Sequence, residues 1–343
     1  MSRPRFARRV RGRRALTLAF APRLIIQLSG GCQISSSTKR APPRVEALPM
    51  VAVLLHIATE QKTAVQSEEI WHLRKTCSNK HSLTSMRIIT YSDLHLEFGS
   101  GWMLPPDANG DVMILGGDIV TLRDCEPLDQ ILRKWKKPVL YVTGNHEYYT
   151  RRPMNEEDNR FKAWLEDRHP HVKLLLDDEV SIGGVNFFGG TMWTDFNGGD
   201  LRAMETARSQ MNDYRLIYNP DETPFTPADS IALHKNFASK LLKWFGKNLS
   251  GPRVVISHNA PVINPNSKYK GGPLTPAFNS LDMVGIIETH QPALWVYGHT
   301  HECDDQTIGR TRIISNQLGY PGNFGGFECK DFDEAGLPVE VGV

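Results

Sequence analysis

From residue 86 onward the chain alternates short apolar runs with longer amphipathic ones. Residues 87–91, 112–115, 139–142 and 253–257 are runs of four or five mostly apolar positions, closed by glycine or a polar side chain. Runs of that length and composition predict strands buried on both faces. Residues 293–297 repeat the pattern, and 311–315 read as a closing strand. Residues 172–176, 179–182 and 185–188 are predicted as shorter strands. The last two are joined by Gly183-Gly184, a two-residue hairpin signal. Between the strands, apolar positions recur at helical spacing. The predicted helices are 128–136, stopped by Pro138; 155–168, with Phe161, Trp164 and Leu165 on one face; 201–211; 228–245, with Leu233, Phe237, Leu241 and Leu242 inward; and 280–289. This alternation predicts a layered α/β fold.

Residues 1–85 show none of this order. The first 23 are rich in arginine, including Arg8-Arg9, Arg11 and Arg13-Arg14, and an apolar patch from Ala15 to Leu28 is interrupted by Pro22 and Arg23. An export signal of twin-arginine type or an organelle transit peptide has this general form, but no small-x-small cleavage site follows. Residues 49–58 are apolar yet too short to span a bilayer. Met86 opens a strand at once. Residues 1–85 are therefore read as a basic, disordered extension or a mis-assigned start, and 86–343 as the functional domain.

Charge divides at the same place. Residues 1–85 hold 15 Lys/Arg against 4 Asp/Glu, a net of +11; the whole chain's 40 against 38 leaves 25 against 34, a net of −9, for the remainder. The acidic remainder lacks the electrostatic footprint that duplex nucleic acid requires. The five cysteines (Cys32, Cys77, Cys125, Cys303, Cys329) are odd in number, scattered and without a CxxC pair. That argues against a disulfide framework and a Cys-rich zinc site, and fits a reducing, cytoplasmic compartment.

The chemistry sits at the strand ends. Five predicted strands finish in oxygen or nitrogen donors: Asp93 and His95; Asp118, after Gly116-Gly117; Asn145 and His146; His258; His299 and His301. A single histidine after a strand is more often a hydrogen-bonded surface residue than a ligand. Asp-x-His and His-x-His say more, because in extended backbone residues i and i+2 point the same way and can enter one pocket. Carboxylate and imidazole donors without thiolate suit Mn, Fe, Zn or Co. Even seven of these eight donors exceed what one open catalytic metal needs. They suit two metals about 3.5–4 Å apart that share a carboxylate.

Asp93-x-His95, Gly117-Asp118, Gly144-Asn145-His146-Glu147, His258 and Gly298-His299-x-His301 resemble, in order and spacing, the motifs of the calcineurin-like metallophosphoesterases. The resemblance spans 86 to about 320. It implies a four-layer α/β/β/α sandwich with two divalent transition metals between the sheets. By position, Asp93, His95, Asp118 and His301 would hold one metal. Asp118, Asn145, His258 and His299 would hold the other, with Asp118 as the bridge. His146 would contact the phosphate rather than a metal, and Glu147 would orient a histidine. The implied activity is hydrolysis of a small phosphomonoester or phosphodiester by metal-activated water.

Two departures bear on substrate. Asp118 is followed by Ile119-Val120-Thr121-Leu122-Arg123, not the Asp-Arg-Gly of the Ser/Thr protein phosphatase branch, which argues against protein dephosphorylation. Asn259 stands after His258 where many relatives carry a second histidine, weakening a substrate contact there. Trp193 and Phe196 follow a strand and either stack on a base or aryl leaving group or wedge between sheets. The loop 264–276, with Lys268 and Tyr269, either covers the site or is a solvated surface loop. Cys303 is unneeded, the donor set being complete without it. Two rival readings fit the same residues less well: a non-catalytic binding module on the same fold, which would normally have lost ligands, and a nuclease, which the net charge of −9 disfavours.

Overall fold

The computed structural model describes residues 85–322 and 325–343; the expectations for the N-terminal extension lie outside them. Strand β1 (Ser85–Tyr91) pairs in parallel with β2 (Val112–Leu115), β2 with β3 (Val139–Tyr141), and β3 with β4 (Val172–Leu174). The other edge of β1 takes β11 (Val339–Gly342) antiparallel, with Met86 opposite Val341. The second sheet holds β5 (Asp178–Ile182), β6 (Val185–Gly190), β7 (Arg253–Ser257), β8 (Leu294–Tyr297), β9 (Asp304–Ile308) and β10 (Thr311–Ser315). Its order is β5-β6-β7-β8-β10-β9, parallel in the middle and antiparallel at both edges. The hairpin β5–β6 turns on Gly183 and Gly184 at φ 54° and 88°, the positive values a type I′ turn requires.

Because side chains alternate along a strand, an all-apolar strand supplies two cores at once. Ile88, Ile114 and Leu140 of the first sheet meet Phe187, Val254, Ile256 and Val296 of the second. On the outer face, Ile89, Met113 and Leu115 meet helices α1 (Glu126–Lys134) and α2 (Met154–Arg168) through Leu128, Ile131, Phe161 and Leu165. The second sheet is covered by α5 (Pro227–Phe245) and α6 (Met283–His290), where Phe237, Leu241, Trp244, Met283 and Ile287 pack on Val255, Trp295 and Ile313. Helices α3 (Leu201–Gln210) and α4 (Asp213–Leu216) lie between β6 and β7 in the chain. The result is the expected four-layer α/β/β/α sandwich. Each buried Val, Leu, Ile or Phe contributes about 1.5–3 kcal/mol.

Two expectations need correction. Leu242 is exposed, and the inward face of α5 is instead His234, Phe237, Leu241, Trp244 and Phe245. Residues 311–315 form β10 but close neither sheet; β9 lies outside them, and β11 closes the first sheet. Both of those edge strands are half exposed, so neither shows the apolar run used to find the others. No helix among the described residues is long and apolar enough to cross a membrane.

Candidate metal centre

The carboxyl ends of β1, β2 and β3 from one sheet and of β7 and β8 from the other meet at one place. The backbone there is unusual. Asp93, His95, Asp118, His299 and His301 have φ of 53°, 44°, 53°, 74° and 50°. Left-handed backbone is unfavourable for a side-chain-bearing residue, by about 1–3 kcal/mol each, although Asp and His tolerate it better than most. The i, i+2 pairs thus converge as expected, but through sharp left-handed turns rather than extended strand. Gly144 makes the approach possible. A Cβ there would stand 2.6 Å from His258 Nε2 and closer still to Asp118 Oδ1.

Two donor groups form around Asp118. In the first, His95 Nε2 lies 2.9 Å from His301 Nε2, and His301 Nε2 lies 3.5 Å from Asp93 Oδ1. In the second, His258 Nε2 lies 3.2 Å from His299 Nδ1, 3.1 Å from Asn145 Oδ1 and 3.3 Å from Asp118 Oδ1. The other Asp118 oxygen, Oδ2, faces His95 Nε2 at 3.9 Å. One carboxylate therefore looks into both groups.

The outer nitrogens fix the tautomers. His301 Nδ1 donates to Glu328 (2.6 Å), His95 Nδ1 to Glu97 (3.3 Å) and His258 Nδ1 to the Gly116 carbonyl (2.9 Å). His301 and His95 then point a bare Nε2 inward, whereas for His258 Asp118 outweighs burial and raises the pKa to about 10, so its Nε2 must give up a proton to a cation. Burial holds His95 below the usual imidazole range and His299 well below it, so both favour the neutral form that a cation needs. Burial opposes charge on Asp118, but His258 and His146 hold its carboxyl well below the ordinary range. Backbone amides complete the frame. His299 N–H donates to both Asp93 oxygens at 3.0 Å, and His146 N–H to Asp118 Oδ1 at 2.8 Å.

This set fits divalent cations. Inward lone pairs 2.9 Å apart repel unless a proton or a cation lies between them. Two ligand atoms at right angles, each about 2.1 Å from one ion, are about 3.0 Å from each other. Most of the inward distances match the edges of such a polyhedron.

His146 also lies within reach of His95 and Asp118. Its ring nitrogens are committed elsewhere, however. Nδ1 donates to Glu97 at 2.9 Å, and Nε2 is 3.1 Å from the Tyr320 hydroxyl. Burial disfavours its charge, but Asp118 and Glu97 outweigh that and raise its pKa. Glu147 differs from expectation. It orients no histidine; its carboxylate accepts N–H bonds from Asp118, Ile119 and Gly144 and an O–H bond from Tyr141. It clamps the turn after β2 to the turn after β3.

A cavity of about 730 Å³ opens over Asp118, Asn145 and His299, walled by Tyr149, Leu274, Phe278 and Tyr320 and by Lys268 and Lys270 of the 264–276 loop. Trp193 and Phe196 do not line it. Trp193 packs on Phe225 at 4.6 Å between ring centres, and Phe196 is fully buried against Ala203, Ala207 and Ala277. Asn259 is turned away, its Nδ2 donating to the Met192 carbonyl. Cys303 stays outside both donor groups, its thiol directed at the Gln317 carbonyl. Glu97, Tyr149, Asp213, Tyr320 and Glu328 had not been singled out. Only Glu97, continuing the i, i+2 spacing after His95, carried a readable signal.

Residues 86–303 match the family described as calcineurin-like phosphoesterase. An uncharacterised protein of Acanthamoeba polyphaga mimivirus is 28% identical over 287 residues, covering 73% of this chain and 98% of that protein. A UPF0046 protein of Caenorhabditis elegans is 23% identical over 227 residues, covering 63% of this chain and 64% of that protein. Among solved structures, phosphopantetheinyl hydrolase from Mycobacterium tuberculosis shares the fold, with a TM-score of 0.55 at 17% identity over 69% of this chain and 90% of that one. The matched region contains every strand end that contributes to the two donor groups, and the chain belongs to the calcineurin-like phosphoesterase family.

Proposed function

We propose that this chain hydrolyses a small phosphomonoester or phosphodiester, nucleotides among them, with two divalent transition metals bound between its sheets. The observation that carries the reading is the paired donor set sharing Asp118. Asp93, His95, Asp118 and His301 would hold one cation; Asp118, Asn145, His258 and His299 would hold the other. Oxygen and imidazole donors favour Mn, Fe, Zn or Co. Such a pair, when bound, makes water nucleophilic near neutral pH and neutralises charge on phosphoryl oxygens.

The chain's own groups do the rest. Glu97 accepts a hydrogen bond from His146 Nδ1 and leaves Nε2 on the cavity side. With its pKa raised, that imidazole is placed to donate a proton or hydrogen bond to a phosphoryl or leaving oxygen. The cavity is of small-molecule size and holds the leaving group beside Tyr149, Phe278 and Tyr320. We assign the activity to residues 86–343 and, from the scattered cysteines, place the protein in a reducing compartment.

The test is a hydrolysis screen of the manganese-reconstituted chain on p-nitrophenyl phosphate, its bis ester and nucleotides. His146→Ala should keep both metals and lose about 10²–10⁴ in rate. A metal-replete protein inert on the whole panel would overturn the reading. Parallel loss of metal and rate in His146→Ala would remove the role given to that residue.

A further inference from the structure

We propose that Asp213, acting with Tyr149, sets which atom of the Asn145 side chain faces the second cation site. The proposal rests on the two-cation reading above. An amide presents an oxygen on one side and an NH₂ of nearly the same shape on the other. Only the oxygen can ligate. A carboxylate ligand has no such ambiguity, so an asparagine there needs something to decide its orientation.

The structure supplies the decision. Asn145 Nδ2 donates to Asp213 Oδ1 at 3.0 Å and to the Tyr149 hydroxyl at 2.9 Å. The Tyr149 hydroxyl spends its own proton on the same Asp213 oxygen. Both acceptors therefore lie on the outer side of the amide, and Oδ1 is left inward, 3.1 Å from His258 Nε2. A flipped amide would set its oxygen against a carboxylate and a phenol oxygen with no proton to offer. Asp213 is 3% exposed and, among the described residues, has no Lys or Arg partner. A buried carboxylate without a cationic partner is costly unless it is hydrogen-bonded. Its hydrogen bonds go to the amide ligand and to the tyrosine that shares it. Tyr149 also lies against His146, ring centres 4.2 Å apart, so one pair positions both the amide and the imidazole. Asp213 comes from α4, outside the strand ends that make the site.

Asp213 is thus a positioning residue, and its readout is metal binding. Manganese titration of the full chain, by calorimetry and by the spin-coupled di-manganese resonance, should show the second ion bound about 10–100-fold more weakly in Asp213→Ala, which removes the shared acceptor, with the first ion unchanged. Adding Asn145→Asp to that variant should restore the second ion, because a carboxylate needs no orienting. Tyr149→Phe, which leaves the Asp213 acceptor in place, should weaken the second ion by a smaller factor and serves if Asp213→Ala does not fold. Parental second-ion affinity in Asp213→Ala, or a folded double variant without rescue, would overturn the proposal. A parent chain that never binds a second ion would instead overturn the two-cation reading.

Discussion

Replacing Glu147 by glutamine measures how firmly the two ligand-bearing turns are held together. Glu147 is fully buried. Its Oε2 accepts from Asp118 N at 2.9 Å and Gly144 N at 2.8 Å; its Oε1 accepts from Ile119 N at 3.0 Å and Tyr141 Oη at 2.6 Å. Glutamine keeps the shape but turns one oxygen into a donor. An NH₂ at the Oε2 position would confront two backbone N–H groups. At the Oε1 position it would confront only one, since the Tyr141 hydroxyl can rotate to accept. The second orientation wins, leaving one buried N–H without an acceptor, at about 1–3 kcal/mol. Relief of a carboxylate that burial pushes up to about 7 works in the opposite direction. A net loss of about 1–3 kcal/mol lowers the melting temperature by roughly 3–10 °C for a domain of this size. Glu147→Ala orphans three backbone N–H groups, about 3–9 kcal/mol, comparable with the whole stability of a domain, and should not accumulate as folded protein. Thermal melts with chelator and with manganese read both effects. Because glutamine still holds Asp118 N and Gly144 N, manganese affinity should change less than tenfold. An unchanged melt for the glutamine variant, or a folded alanine variant, would refute the clamp.

Two further perturbations follow from the geometry. Gly144→Ala puts a methyl group 2.6 Å from His258 Nε2 and against Asp118; manganese titration should show loss of the second ion, and parental binding would mean the turns have slack. His234 is buried, with Nε2 2.8 Å from Asp282; burial opposes its charge, but Asp282 raises its pKa above the ordinary value. The stabilisation this pair provides is therefore complete below about pH 6.5 and fades as pH climbs through the folded value. Asp282→Asn should flatten that part of the stability profile in urea melts, and an identical profile would remove the pair from the account.

The donors were legible because each directly follows an apolar run, and the end of a run is visible in a single sequence. What supports them was not. Glu328 reaches His301 from a loop with no periodic signal, and Asp213 sits in a short polar turn like many others. Glu147 was noticed, but its partners are mainly backbone amides, which look alike at every position, so its role was misread. Trp193 and Phe196 show the converse. An aromatic residue after a strand has the same appearance whether it meets a cavity or a core, and only packing separates the two.

Because one sheet brings Asp93, Asp118 and Asn145 and the other brings His258, His299 and His301, an ion held between them is a rivet through the sandwich. His95 and His301 are 206 positions apart, so a growing polypeptide cannot complete the first cage until β8 has been made and docked. Loading of such an ion would therefore be a late event of maturation. Saturating ion at a hundredfold over its dissociation constant would add about 2.7 kcal/mol against prising the layers apart.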